Sequence, residues 1–134
     1  MAKLRKTPEA VRNAVFYENP QAYVTEQYHR NSIFPVLLTD GADECCKELG
    51  CYWVAEIIGS IAPYLMQSDQ QFCVARTIID DKGGAKFWLD DGDYNILYTQ
   101  DVPMTTLKAN LQWYVQPTRL QGKSYMVIML PSEY

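Results

Sequence analysis

The 134 residues contain a single histidine, His29, and none of the short words that mark the common enzyme classes. No G-x-G-x-x-G, Walker A, H-E-x-x-H or G-x-S-x-G occurs, so dinucleotide-binding, P-loop, zinc-protease and nucleophile-elbow chemistry are not signalled. There are four cysteines but no C-x2-C knuckle, the usual unit of a structural zinc site. No stretch approaches the roughly 18 apolar residues of a membrane span. The opening "MAKLRKTPEAVRNAV" lacks the apolar centre of a secretory signal, which leads us to expect a cytoplasmic protein without a membrane role. Positive charge is scarce: 12 Lys and Arg face 16 Asp and Glu, a formal net charge of -4. Without a global positive field to hold a phosphate backbone, direct nucleic-acid binding is disfavoured. Lys3, Arg5, Lys6 and Arg12 crowd the start, and residues 1–6 read as a flexible basic arm. Repeats and low-complexity segments are absent.

What remains is a rich supply of core-forming residues. At 48% hydrophobic, with ten Tyr and three Trp, the chain suits one domain over residues 1–134, mainly helical over 7–66 and mainly strands over 72–130. "TPEAVRNAVF" predicts a helix from Thr7 to Phe16, with Thr7 as N-cap and Pro8 in the first turn, and Asn19-Pro20 interrupts it. "AYVTEQYHRNSIFPVLL" reads as irregular or short extended structure. "TDGADECCKELG" then predicts a helix capped by Thr39 or Asp40 and ended or bent at Gly50. In the next run Trp53, Ile57, Ile58 and Ile61 share a helical face, and Pro63 bounds it. Beyond "QSDQQ" the pattern is of strands. "FCVARTIID" and "AKFWLD" form a hairpin across "DKGG"; "YNILYTQDV" follows the turn "DDGD" and closes at Pro103; "MTTLKANL" reads as a short helix. "QWYVQ" and "KSYMVIML", separated by "PTRLQG", complete the sheet. Tyr125 to Leu130 is apolar on both faces, which predicts a central strand. The expected class is α+β, an antiparallel sheet of four or five strands with the helices on one face.

Chemistry-bearing residues are few. Cys45, Cys46 and Cys51 lie within seven residues, but adjacent positions on a helix diverge by about 100 degrees, so they read as buried filling with no metal and no cofactor. His29 is the natural acid-base candidate, and Tyr28, Asp40 and Tyr52 are its candidate companions near the second helix. Asp90, Asp91 and Asp93 suggest an oxygen-rich turn, yet the twelfth residue from Asp90 is Asp101 and no closing Glu follows, so calcium binding of the EF-hand type fails. On its strand Trp88 alternates with Lys86 and Asp90, so it is expected to be more exposed than Trp113: either an open ring flanked by charges, a candidate hot spot for a protein partner, or a ring covered by a loop.

Three segments, "TEQYHRN" from Thr25, "LLTDGADECCKELGCYWVAEIIGSI" from Leu37 and "IMLPSEY" from Ile128, together resemble the bacterial and phage or plasmid family DUF6876. The resemblance runs from Thr25 to the last residue. It implies a small accessory protein of bacteria or mobile elements and brings no established activity. The leading expectation is therefore a non-enzymatic module acting through protein contact. Its acidity suits a basic partner, as for an anti-CRISPR-like inhibitor of a nucleic-acid-handling or defence complex. The alternatives are a small hydrolase or transferase using Tyr28, His29, Asp40 and Tyr52, and a homo-oligomer that hides Trp88.

Overall fold

The computed structural model describes residues 5–18, 27–30 and 33–134. The helical centre forms where cap chemistry and apolar spacing coincide. Helix α2 spans Asp40–Leu49: the Thr39 hydroxyl accepts from the Ala42 N–H, and Gly50 ends the helix in the left-handed region at φ 64°. Helix α3 spans Tyr52–Gln67 and buries Val54, Ile57, Ile58, Ile61 and Leu65. It runs through Pro63 rather than stopping there. A proline inside a helix removes a hydrogen bond to the carbonyl four residues back, and here Pro63 sits on the exposed side, where that loss is tolerated. Close to this turn, Gly59 lets Phe34 lie against the helix, since a Cβ there would come within 2.5 Å of the Phe34 Cβ.

The class is α+β, but the sheet is larger than expected and mixed. A short helix α1 (Glu9–Arg12) precedes β1 (His29–Arg30) and β2 (Val36–Leu38); after α3 come β3 (Cys73–Ile79), β4 (Ala85–Asp90), β5 (Ile96–Val102), β6 (Leu111–Leu120) and β7 (Lys123–Met129), then a single 3-10 turn over Pro131–Glu133. These seven strands lie in the order β1-β2-β7-β6-β3-β4-β5. The additional strands come from the segment read as irregular: β2 pairs parallel to β7 and β1 pairs antiparallel to β2. Three buried residues suffice for β2 because the apolar β7 offers a free side. The DKGG hairpin pairs β3 with β4, and β7 is central, as predicted.

Other boundaries shift for identifiable reasons. Strand β6 continues through Pro117 to Leu120, and a two-residue turn at Gln121 and Gly122, both at positive φ, leads into β7. Pairing with β3 ends at Val115, so Pro117 lies where β6 has a neighbour on one side only and a missing N–H costs no ladder bond. "MTTLKANL" is not helical; the Thr105 N–H is taken by the Gly83 carbonyl, and Leu107 inserts into the core. The first helix is one turn long, and Thr7 does not cap it. Of the basic start, Lys6 bridges to Asn95 and the Arg5 carbonyl accepts from Ile96 N–H, while residues 1–4 and the Asn19-Pro20 break lie outside the described residues.

Alternation along the strands sorts the sheet into two faces. Phe87, Leu89, Ala75, Trp113, Val115, Met126 and Ile128 meet α2 and α3 in the main core. Leu37, Tyr125, Val127 and Met129 form a smaller cluster on the other face. Among the described residues no helix is long and apolar enough to cross a membrane.

Candidate functional site

The start of α2 collects three of the residues singled out from the sequence. Asp40 and Asp43 stand one turn apart, so both carboxylates project toward β1, where His29 lies between them. His29 Nε2 is 2.8 Å from Asp40 Oδ1 and its Nδ1 is 3.5 Å from Asp43 Oδ2. The Tyr52 hydroxyl, from the first turn of α3, donates to Asp43 Oδ1 at 2.7 Å, and Lys47 Nζ approaches Asp43 Oδ2 at 3.2 Å from one turn further along α2. Loss of water around the Tyr52 hydroxyl, and then the Asp43 carboxylate it faces, push its pKa above the ordinary tyrosine value, so it stays a protonated donor. Tyr28 does not join the cluster: it is 46% exposed and makes no hydrogen bond to these side chains. Asp43, the hub, is the residue that the sequence reading left out of the site. Its spacing from Asp40 and from Lys47, three and four residues, was the signal that these groups share a helix face.

Beside this cluster the end of the chain closes onto the same helix. Glu133 Oε1 accepts from the Thr39 hydroxyl at 2.7 Å and from Leu130 N–H at 3.0 Å, and Oε2 accepts from Gly41 N–H at 3.2 Å. A carboxylate is favoured at a helix N-terminus by the partial positive charge of the free amides. Gly41 is what admits it, because a Cβ at that position would lie 2.5 Å from Glu133 Oε1. Thr39-Asp40-Gly41 and the closing Leu-Pro-Ser-Glu-Tyr thus form one contact, although 92 residues separate Gly41 from Glu133.

The contact group expected around Trp88 is not open to a partner. Trp88 is only 9% exposed; it is less deeply buried than Trp113, at 1%, but covered all the same. Of the charges beside it, one lies over the ring and the other turns away from it. Lys86 Nζ lies 4.5 Å from the ring centroid, and Asp90 turns inward, fully buried, to pair with Arg76 Nη1. Asp90 Oδ2 also accepts from the Thr7 hydroxyl at 3.1 Å, and Oδ1 accepts from Gly92 N–H at 2.9 Å. The Tyr94 ring completes the group, with Arg12 at 4.5 Å and Arg76 at 5.5 Å from its centroid. Asp90 therefore anchors the start of the chain to the sheet and is not part of a solvated turn. Asp91 does occupy such a turn, accepting from the amides of Asp93 and Asn95.

All four cysteines are buried free thiols. Burial, reinforced by Asp90 and Asp91, pushes the Cys73 thiol up to about 12. Cys51 also reaches about 12: its hydrogen bond with Cys45 lowers it, and the one with Cys46 and burial raise it by more. Cys45 is raised further by its hydrogen bond with Cys51 and by burial. Thiols of this kind are poor nucleophiles near neutrality. Among the described residues no group of three His, Cys, Asp or Glu side chains is arranged to hold a metal ion.

Fold and site define a small α+β protein whose two central helices lie on one face of a mixed sheet and whose polar groups are largely tied to one another. The chain belongs to DUF6876, a family of unknown function whose model matches residues 18–134. Comparison with curated proteins and with solved structures finds no match.

Proposed function

We propose that this is a non-enzymatic accessory protein that acts by docking the exposed side of α2 and α3 against a positively charged protein. The observation that carries the reading is how charge is distributed. Asp40, Asp43, Glu44, Glu48 and Glu56 face Lys47 alone on these two helices. That surplus of four equals the formal net charge of the whole chain, -4, so the remaining sequence is balanced. Glu44, Glu48 and Glu56 are exposed, and on α3 they are accompanied by Tyr52 and by Tyr64, which is 72% exposed. Tyr52, Glu56, Ser60 and Tyr64 recur at four-residue spacing and form one stripe. Tyrosines supply large contact area at low entropy cost, and surrounding acids steer a basic partner. A nucleic-acid-handling protein, whose phosphate-binding surface is positive, fits this chemistry, and blocking that surface is the mode of action that follows.

The catalytic alternative has in its favour that His29, Asp40 and Tyr52 do meet around Asp43. Against it, each imidazole nitrogen already faces a carboxylate of the same chain, which leaves neither turned toward a substrate. As a clamp, His29 fastens β1 to α2, which is the simpler role. The homo-oligomer alternative rested on an exposed Trp88, and that ring is buried within the single chain.

Affinity capture from the native host tests the docking reading. Wild type is expected to retain a basic protein that is lost with the triple variant Glu44→Lys, Glu48→Lys, Glu56→Lys and kept with Lys82→Gln. Equal retention by wild type and the triple variant would refute it.

A further inference from the structure

We propose that the cleft at the β6–β7 hairpin end is a second binding site, for an acidic peptide segment of a protein partner, with Arg30 and Lys123 as its anion contacts. This proposal does not rest on the α2–α3 reading; it concerns a different surface and the opposite charge. Among the described residues, Lys47, Arg76 and Lys86 each reach a carboxylate. Arg30, Arg119 and Lys123 are exposed, and none of them pairs with a carboxylate among the described residues.

Two of these cations, Arg30 and Lys123, share one cleft, whereas Arg119, paired with Ser124 across the hairpin, lies toward the helix-bearing face. Arg30 and Lys123 line a cleft of about 220 Å³ together with Phe34, Pro35, Ser124 and Tyr125, and among the described residues no acidic one lines it. A second cleft of about 340 Å³ shares Ser124 and adds Arg119, with Asp69 as its acid. The Arg30 guanidinium stacks 5.7 Å from the centroid of the buried Tyr125 ring. Arg119 Nη2 donates to the Gly122 carbonyl at 3.0 Å, across the tight turn that sets Lys123 opposite Leu120. Fixing the cations beforehand reduces the ordering cost that makes most surface ion pairs weak. A guanidinium also offers a carboxylate two parallel N–H donors.

The patch is short and its walls are partly apolar, which favours a peptide over a polynucleotide. Nucleic-acid affinity grows with the number of phosphates neutralised along a track, and here only two cations share one short cleft of a chain with net charge -4. A segment with two carboxylates matches the two cations, and an aliphatic side chain fits against Phe34 and Pro35.

The test is a fluorescence titration of the full chain with a short glutamate-leucine peptide and with its glutamine-leucine counterpart. Saturable binding of the glutamate peptide alone is expected, weakened about ten-fold by Arg30→Gln with Lys123→Gln and unchanged by Lys82→Gln or Glu56→Gln. Thermal melts of each variant verify that it is folded, and Arg119→Gln, on the other face of the hairpin, is expected to leave binding unchanged. Absence of saturable binding, equal weakening by Lys82→Gln, or full displacement by a single-stranded oligonucleotide at matched charge would overturn the proposal.

Discussion

A charge cut off from water is tolerated only when another charge stands against it, and Asp90 with Arg76 is that case here. Replacing Asp90 by Asn keeps the shape and removes the counter-charge, which leaves a guanidinium 5% exposed and uncompensated. We expect Asp90→Asn to lower the unfolding free energy by about 3 kcal/mol in urea denaturation, whereas Asp93→Asn, in the exposed part of the same turn, changes it little. The cysteines give a second expectation at this scale. A thiol-specific reagent should find none of the four reactive in the native protein and all four reactive once it is unfolded. The packing role of the cysteines was legible from their spacing and from the missing C-x2-C. The burial of Trp88 and Asp90 was not, because it depends on Arg76 from the neighbouring strand and on Thr7, which are 14 and 83 residues away from Asp90.

Elements were legible where a local rule decides them. Thr39 and Gly50 bound α2, and DKGG turns β3 into β4, because cap and turn chemistry act over a few residues. Elements that exist only through distant pairing were not: β2 is a strand because β7 is there, and Pro117 stays in β6 because β3 has already ended. Gly59 is the most exacting position on α3. Alanine is normally about 1 kcal/mol better than glycine inside a helix, yet Gly59→Ala should destabilise by about 1–3 kcal/mol because its methyl strikes the base of Phe34; a gain in the thermal midpoint would contradict this. The turns carry a pH dependence. Asp80 is held below the usual carboxylate range by the amides of Gly84 and Lys82. At Asp91 burial acts upward, but the Asn95 side chain and the amides of Asp93 and Asn95 outweigh it, and its pKa is lowered too. A carboxyl with a lower pKa folded than unfolded, where it is about 3.9, contributes fully above that value and loses its contribution as the pH falls through the folded pKa. Stability measured against pH should therefore fall in acid, and Asp91→Asn should be less stable near neutrality with a shallower acid decline.

At the scale of the whole molecule the sequence carried the α+β class and the placement of the helices on one face of the sheet, since helix-first, strand-later order constrains both. It did not carry the segregation of charge, which becomes visible only when α2 and α3 turn their apolar sides to one sheet and leave Glu44, Glu48, Glu56, Tyr52 and Tyr64 outward. That segregation is the basis of the docking account. It is tested most directly by amide hydrogen exchange on the complex with the captured basic partner. The account predicts that protection gained on binding is concentrated in α2 and in α3 between Tyr52 and Tyr64. Protection centred instead on β4 around Trp88, or no change along α2 and α3, would contradict it.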